Sequence, residues 1–371
     1  MTQENGDRPE SLELWPDDEQ PVQLLTTQQA STLPRKEGGA AARSAALTRT
    51  SGDGQATERR TAADFSPERM LRPAAGGRPG SGWRLAAFRL SGGLLRVAPS
   101  AGELRQRELI ARVKTPIRGC RKIAFISRKG GVGKTSTCLL AGHTFASHRG
   151  DRVIALDGNP DAGTLGHRIH RETTATVTSL LADADEIERY ADVRAYTSQT
   201  PTRLEVVAAD DDPRVTQAIG EDEFKRAIRL LERHYNLVCL DTGTGVLESA
   251  TRGILDAADQ VVVVIAPSLD GARAASSTLD WLAENGYRHL VDGAVGVING
   301  VRPYNGVVDL DRIEAHFAAR CRATVRIPWD SHLETGAETV VEELQSETRQ
   351  ACLELAAAVA VGFADESERR S

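Results

Sequence analysis

The sequence predicts an α/β fold of three layers, in which a mostly parallel central sheet lies between two layers of helices. From residue 122 onward, short apolar runs alternate with amphipathic stretches, and this alternation is typical of strand–helix–strand units. Residues 261–265 are apolar at every position, as expected for a strand that is buried on both faces. A glycine-rich turn at 130–133 joins the first apolar run to the first helical pattern, so these two elements are expected to be consecutive in the fold.

Apolar runs between turn signals are assigned to strands, and apolar residues at helical spacing are assigned to helices. The predicted strands cover residues 122–127, 152–156, 203–208, 237–240, 260–266, 294–299 and 323–327. The predicted helices lie near residues 134–149, 176–195, 221–234, 246–257, 270–285, 308–319 and 346–362. A further short helix is expected to begin after Ser100 and to end near Pro116, because Ser100 and Glu103 have the spacing of a capping box.

The first part of the chain has a different composition from the rest. Residues 1–82 contain few large apolar side chains and are expected to form a disordered, low-complexity arm, because they cannot bury enough surface to offset their ordering entropy. Residues 83–118 are predicted to be a basic amphipathic docking segment followed by the short helix. An anionic membrane surface or a partner protein is the alternative target of that segment. Residues 119–363 are predicted to form the folded domain, and residues 364–371 a polar tail.

The composition limits the classes of protein to which the chain can be assigned. A net charge of −6 over 371 residues gives no overall reason to expect nucleic-acid binding, although a small basic cluster keeps DNA contact open at Arg320, Arg322 and Arg326. The five cysteines show no paired spacing, which favours reduced thiols. The polar and acidic N-terminal residues contain no apolar signal-peptide core, and no uninterrupted apolar stretch reaches the length of a membrane span. We therefore expect a cytoplasmic protein, with peripheral attachment to the inner face of the membrane as an alternative.

The glycine-rich turn has the properties of a phosphate-binding loop. Its glycines allow several backbone N–H groups to face one anion, and the start of the following helix adds partial positive charge. Lys134 adds a full positive charge, and Thr135 supplies a hydroxyl of the kind that a phosphate-bound Mg²⁺ takes as a ligand. The predicted phosphate-binding residues are Gly130, Gly131, Val132, Gly133, Lys134, Thr135 and Ser136.

Two later strands end in aspartate. Residues 237–240 are apolar and are followed by Asp241, which is the form of a Walker B motif, and Asp241 is expected to hold Mg²⁺ through water. The strand after the first helix ends at Asp157. Because the carboxyl ends of parallel strands lie at one edge of the sheet, both carboxylates are expected near the phosphate-binding loop.

Residues 128–136 depart from the general phosphate-binding loop, because Lys129 stands before the glycines. In this respect the loop resembles the deviant Walker A motif of the MinD/ParA ATPases, and in particular of the MinD-like ATPases at actinobacterial type VII (ESX) secretion loci. The segments that carry this resemblance are 107–113, 130–136, 149–157, 241–245 and 266–272. It implies a P-loop NTPase fold that binds ATP and Mg²⁺, and a nucleotide-dependent homodimer in which Lys129 reaches the partner's nucleotide.

The resemblance also implies roles for the catalytic positions Lys129, Lys134, Asp157, Asn159 and Asp241. Asp157 matches a family aspartate that lies near Mg²⁺ and its waters. The second aspartate of that motif is replaced by Asn159, which can hold a water molecule but cannot accept its proton. Since the loss of a general base costs about 10²–10⁴ in rate, we expect slow ATP hydrolysis with intact binding.

Three further positions match the nucleotide contacts of the family. Gly245 matches a glycine whose amide meets the γ-phosphate. Asn299 matches an asparagine that recognises adenine, and Pro328 lies in a loop that resembles the one along the base. The asparagine favours ATP over GTP.

The function that this resemblance implies is an ATP-dependent dimeric switch that regulates or assists type VII secretion and meets a protein partner through its N-terminal arm. Two other functions stay open. One is a chromosome-partition or cell-positioning ATPase of the ParA/MinD kind, and the other is a scaffold that binds ATP without hydrolysing it.

Overall fold

The computed structural model of the chain describes residues 99–159, 163–211, 219–245, 249–303 and 308–369, with side chains described up to residue 364. The predicted disordered arm and the amphipathic stretch 83–96 therefore lie outside the described residues. All structural statements below concern the described part of the chain.

A sheet of eight strands forms the centre of the domain, in the order β3-β4-β2-β5-β1-β6-β7-β8. All neighbouring pairs are parallel except β3 and β4, which are antiparallel. This confirms the predicted mostly parallel sheet. The strands are β1 (Arg121–Ile126), β2 (Val153–Gly158), β3 (Ser198–Gln199), β4 (Glu205–Val207), β5 (Leu237–Thr242), β6 (Gln260–Ile265), β7 (Val295–Val301) and β8 (Ala323–Pro328).

Helices cover both faces of this sheet. They are α1 (Ala101–Val113), α2 (Lys134–His148), α3 (Val177–Ala182), α4 (Tyr190–Arg194), α5 (Glu221–Glu232), α6 (Ser249–Ala257), α7 (Leu269–Glu284), α8 (Arg288–Asp292), α9 (Leu310–Ala318), α10 (Ser331–Glu334) and α11 (Ser346–Arg369). Short 3₁₀ turns are formed by Gly166–Arg168 and Val341–Glu343.

The capping box that begins α1 is confirmed. The Ser100 hydroxyl accepts a hydrogen bond from the amide of Glu103 at 3.2 Å, and the Glu103 carboxylate accepts one from the amide of Ser100 at 2.8 Å. The helix ends at Val113, three residues before Pro116, because a residue that precedes proline is disfavoured in the helical conformation.

The prediction of a single helix over residues 176–195 is wrong, because two helices, α3 and α4, lie in this stretch. The break arises from local capping. The Asp192 carboxylate accepts hydrogen bonds from the amides of Glu188 and Arg189 at 3.2 and 2.7 Å, which starts a new helix at Tyr190. Strand β3 was not predicted because its two polar residues carry no apolar pattern.

The hydrophobic core lies on both faces of the sheet. Successive side chains of a strand point to opposite faces, and β6 shows this directly. Val261 and Val263 belong to the core cluster that includes residues of α5, α6, α7 and α9, while Val262 and Val264 belong to the cluster that includes residues of α2 and α11. All five cysteines are free. No described helix has the length and apolar character that crossing a membrane requires.

His143 on α2 makes the stability of this domain depend on pH. Only 3% of the residue is exposed, and burial lowers the pKa of its imidazole from 6.5 to about 4. In the unfolded chain the ring is protonated below about pH 6.5, whereas in the folded chain it stays neutral down to about pH 4. The stabilisation is therefore complete above pH 6.5 and is lost as the pH falls from 6.5 to 4.

We expect acidification from pH 7 to pH 5 to lower the free energy of unfolding by about 2 kcal/mol through this residue alone. Urea unfolding at pH 7 and pH 5 measures the effect. His143→Gln should reduce the difference between the two pH values, whereas His289→Gln, at an exposed position, should not. Equal pH dependence in the wild type and His143→Gln would refute the assignment.

Candidate nucleotide-binding site

The glycine-rich loop connects β1 to α2 at the carboxyl edge of the sheet. Gly131 and Gly133 have φ angles of 72° and 84°, in the left-handed region that favours glycine. A Cβ atom at Gly133 would lie 2.1 Å from Nδ2 of Asn299. The backbone conformation therefore requires glycine at position 133, and a side chain there would also displace the amide group of Asn299.

Lys134, the first residue of α2, places its ammonium group in the centre of the site. The residue is 8% exposed, and its Nζ donates a hydrogen bond to the carbonyl oxygen of Thr242. The same Nζ lies 3.7 Å from Oδ1 of Asp241. The Thr242 hydroxyl donates to the carbonyl of Phe125 at 2.9 Å, so the end of β5 is held against β1 where the loop begins.

Two buried carboxylates lie opposite each other on neighbouring strands. Asp157 of β2 and Asp241 of β5 are partners in the strand register, and both are 0% exposed. The Asp157 carboxylate accepts hydrogen bonds from the amides of Asn159 at 3.2 Å and of Leu165 at 3.0 Å. The sheet thus brings together the two aspartates that were predicted from separate motifs.

The proximity of these carboxylates changes their acidity. Burial, with the negative charge of Asp241 as the second cause, raises the pKa of Asp157 to about 7. Burial also raises the pKa of Asp241, against the opposing charge of Lys134. Two buried carboxylates this close favour a cation beside them, and Lys134 Nζ lies 3.7 Å from Asp241.

The residues at this position fit a magnesium ion held together with a nucleotide. Both carboxylate oxygens of Asp241 are buried without a hydrogen-bond partner among the described residues, and Thr135 follows Lys134 at the start of α2. Within the same ranges, no group of three or more His, Cys, Asp or Glu side chains is arranged to hold a metal. A site with one or two carboxylates and a hydroxyl suits Mg²⁺, which usually takes its remaining ligands from phosphate and water.

Lys129 lies in the loop with its side chain free for an external group. The residue is half-buried, and its amide donates to the Ser127 hydroxyl at 3.3 Å. In the part of the chain that the structure describes, its ammonium group makes no ion pair. This distinguishes it from Lys134, whose charge is directed at Asp241.

Asn159 and Gly245 lie in the loops that follow β2 and β5, the two strands that carry the buried aspartates. Asn159 is half-buried, directly after β2, and its amide contacts the Asp157 carboxylate. Gly245 is half-buried in the loop after β5. Asp161, an acid two positions after Asn159 in the sequence, lies outside the described residues.

Asn299 and Pro328 lie at the ends of two adjacent strands. The side-chain amide of Asn299 donates to the carbonyl of Val132 at 2.8 Å, so the end of β7 contacts the phosphate-binding loop directly. Pro328 ends β8 opposite Val301, and the amide of Trp329 donates to the Val301 carbonyl at 2.8 Å. The structure therefore joins Asn299 to the loop and brings Pro328 to the neighbouring strand end.

Arg168 is a residue of this region that the sequence analysis missed. It lies in the 3₁₀ turn that follows Leu165, whose amide binds Asp157. Its Nε is buried without a partner in the described residues. Burial lowers the pKa of Arg168, and the charge of Asp241 acts in the opposite direction. No sequence signal identified it, because the turn is short and carries no recognised motif.

The basic cluster near β8 is largely neutralised. Arg320 lies 2.5 Å from a carboxylate oxygen of Asp280. Arg326 lies 2.6 Å from one of Asp311 and also pairs with Glu314. These arginines consequently do not present an uncompensated positive surface for DNA.

The mostly parallel sheet, which carries the glycine-rich loop at the end of a central strand, has the fold of a P-loop domain and is similar in fold to solved ParA and MinD structures. Residues 120–290 match the AAA_31 family, described as an AAA domain. The predicted resemblance to MinD/ParA ATPases is confirmed at the level of the fold, and the predicted resemblance to proteins of ESX secretion loci is confirmed by sequence similarity to one such protein.

Among curated proteins, the chain is similar to the ESX-1 secretion-associated protein EspI of Mycobacterium tuberculosis. The two are 37% identical over 284 residues, which cover 76% of this chain and 42% of EspI. The chain thus matches less than half the length of this relative.

Two solved structures illustrate the similarity of the fold. A ParA family ATPase from Chlorobium tepidum superimposes with a TM-score of 0.54 and 18% identity, covering 64% of this chain and 98% of the other. The septum site-determining protein MinD from Pyrococcus horikoshii, complexed with Mg-ADP, gives a TM-score of 0.50 and 16% identity, covering 68% and 99%.

Proposed function

We propose that the chain binds Mg-ATP, forms an ATP-dependent homodimer, hydrolyses ATP slowly and acts as a regulator or accessory factor of type VII (ESX) secretion. The observation that carries this proposal is the arrangement of Lys134 and Asp241. A buried lysine at the start of a helix forms an ion pair with a buried carboxylate whose oxygens accept no hydrogen bond from the described residues, at the end of a loop built to approach an anion. The similarity to EspI supports the link to secretion.

Each part of the site has a distinct role in this proposal. The amides of residues 130–136 and the Lys134 ammonium bind and orient the β- and γ-phosphates. Thr135 and Asp241 would hold Mg²⁺, which when bound neutralises phosphate charge. Asp157 completes the negative side of the site, and Asn159 orients a water molecule without accepting its proton. The burial of both aspartates strengthens these electrostatic interactions, since the site excludes bulk water.

Restoring the missing carboxylate should accelerate hydrolysis. Asn159→Asp is expected to raise the rate of phosphate release by about 10²-fold, at the low end of what a general base supplies, with little change in ATP affinity. The measurement is a single-turnover phosphate-release assay at saturating Mg-ATP. Asp161→Asn serves as the matched variant, because it tests whether the neighbouring acid already compensates.

Two outcomes would contradict this account of Asn159. One is a wild-type rate equal to that of Asn159→Asp. The other is loss of the basal rate in Asp161→Asn, which would assign the role of the missing carboxylate to Asp161.

Asn299 is proposed to recognise the base. Asn299→Ala should weaken ATP binding by about tenfold, because one amide contact worth about 1–1.5 kcal/mol is lost, and should reduce the preference for ATP over GTP. Competition of fluorescent ATP with ATP, GTP and inorganic triphosphate measures both effects. An unchanged ATP-to-GTP preference would indicate that Asn299 only ties β7 to the loop through Val132.

The cellular role requires a separate test. In the native host, deletion of the gene should change the amount of ESX substrates in the culture medium, and complementation with the wild type but not with Lys134→Ala should restore it. Normal secretion by the deletion strain would refute the proposed role in secretion. It would not bear on the proposal that the chain binds a nucleotide.

A scaffold that binds ATP without hydrolysing it is the second candidate function, and Asn159 favours it. Dimerisation in ATP without measurable phosphate release would establish it. A partition ATPase would instead bind nonspecific DNA in the presence of ATP, with an affinity that falls steeply with salt. The neutralised basic cluster gives no support to that function.

A further inference from the structure

A groove on the face opposite α9 lies between α1, α2 and α11, away from the phosphate-binding loop. Its volume is about 390 Å³. Its apolar lining comes from Leu140, Leu344, Cys352 and Leu353, all of which are buried. Polar lining residues stand around them, including Gln106, Thr144 and Ser147. The groove thus has an apolar floor and a polar rim, which is the usual composition of a binding site.

The floor of this groove contains an unsatisfied hydrogen-bond acceptor. His143 lines the groove and is 97% buried, and its Nε2 has no partner among the described residues. Its Nδ1 lies 2.7 Å from the Thr202 hydroxyl. That hydroxyl lies 2.9 Å from the Thr200 hydroxyl, which donates to the carbonyl of Leu204 at 3.1 Å.

This chain of hydrogen bonds determines which nitrogen of the His143 ring carries the proton. Because Thr200 uses its proton on Leu204, Thr202 donates to Thr200 and accepts from Nδ1–H of His143. The neutral ring therefore presents the lone pair of Nε2. Burial favours the neutral form by lowering the pKa of His143. An occupant of the groove is expected to combine an apolar body with one N–H donor, which are the properties of an indole ring.

The rim of the groove selects between the tryptophans of the N-terminal arm. Exposed acids at Glu342, Glu343 and Glu347 adjoin the lining residues Val341, Leu344 and Ser346. Arg349 also lines the groove, but its guanidinium donates to the backbone carbonyls of Glu342 and Leu344. Glu343 lies 3.1 Å from the ring of His332, so Glu342 and Glu347 are the acids beside the groove that favour a basic segment.

Trp83 lies in such a basic segment. It is followed by Arg84, Arg89 and Arg96, whereas Trp15 lies among acidic residues. The length of chain between Trp83 and α1 also permits Trp83 to reach the groove. Residue 97 is four positions before the start of α1, and Gln106 of α1 lines the groove. The sixteen residues from Trp83 to Pro99 span at most about 55 Å when extended.

We propose that residues 83–97 of the same chain occupy this groove, with the Trp83 indole on its apolar floor and the indole N–H donating to Nε2 of His143. The groove is thereby an intramolecular docking surface on α2, the helix that begins at Lys134. This inference does not depend on the proposed ATPase function, because it concerns a surface outside the nucleotide site.

Fluorine NMR of the full-length chain labelled with 5-fluorotryptophan tests the proposal. The four tryptophans give four signals, and Trp83→Phe and Trp15→Phe assign two of them. In the wild type, the Trp83 signal should lie away from that of Trp15 and should show a smaller H₂O-to-D₂O solvent shift. Ser147→Arg, at an exposed position on the rim, should move the Trp83 signal to the position of an exposed indole.

The matched control is Ala318→Arg, an exposed position on α9 at the opposite face of the sheet, which should leave the Trp83 signal unchanged. An exposed Trp83 signal in the wild type, or one that Ser147→Arg does not move, would overturn the proposal. If the Trp83 indole is shielded from solvent only when anionic vesicles are present, residues 83–97 bind a membrane instead. If dilution of the protein exposes the Trp83 indole to solvent, residues 83–97 bind a second copy of the chain. Both results reject docking within one chain.

Discussion

Replacing Lys134 with alanine is expected to abolish nucleotide binding at physiological concentrations. Lys134 contributes a buried ammonium at the centre of the site, and two charge-assisted hydrogen bonds to phosphate are together worth about 3–6 kcal/mol. The affinity for Mg-ATP should therefore fall by at least about 10²-fold. Isothermal titration of Mg-ATP into purified variant and wild type measures this loss.

The structure also predicts the effect of this change on stability. Removing Lys134 leaves Asp241 buried without its ion-pair partner, which in other proteins costs about 3–5 kcal/mol. Protonation of Asp241 limits the penalty, because burial already raises its pKa. Urea unfolding should accordingly show a smaller loss at pH 5 than at pH 7. Lys114→Ala, at an exposed position, is the control and should change neither affinity nor stability. ATP binding by Lys134→Ala at wild-type affinity would refute the assignment of the site.

Lys129→Ala is expected to separate binding from dimerisation. The Lys129 ammonium makes no ion pair within the described ranges, and we propose that it contacts the nucleotide of a second subunit. The variant should bind Mg-ATP within a few fold of the wild type but remain monomeric. Light scattering coupled to gel filtration, in ATP and in ADP, measures the mass in solution.

Arg128→Ala is the matched control for this test. Arg128 adjoins Lys129 in the same loop and is exposed, so its replacement removes an equal charge without removing the proposed contact. It should dimerise in ATP like the wild type. Dimers of Lys129→Ala in ATP, or a wild type that is monomeric in both nucleotides, would contradict the role given to Lys129.

The parts of the fold that could be predicted are those in which local sequence and tertiary environment agree. Strand β6 is apolar throughout, and both of its faces are buried. The loop before Lys134 contains the glycines that its positive φ angles require. Asp157 and Asp241 were expected at one edge of the sheet because each ends a strand, and the register places them opposite each other.

The features that were missed have one local cause and two causes in contacts between distant segments. The break between α3 and α4 depends on a cap by Asp192. An aspartate at this position also fits the pattern of one continuous helix, so it did not signal the break. Arg168 enters the site only because the loop after β2 folds back onto Asp157. The unsatisfied nitrogen of His143 is likewise set by Thr200 and Thr202, about sixty residues further along the chain. The contacts of Arg168 and His143 have no fixed sequence spacing.

The central claim is that the loop from residue 130 to residue 136, with Lys134 and the buried aspartates, binds a magnesium nucleotide. Calorimetric titration of the wild-type chain with ATP, in the presence and absence of Mg²⁺, tests this most directly. We predict saturable heat with one nucleotide per chain, and weaker binding without Mg²⁺. No heat from a chain that circular dichroism shows to be folded would contradict the account.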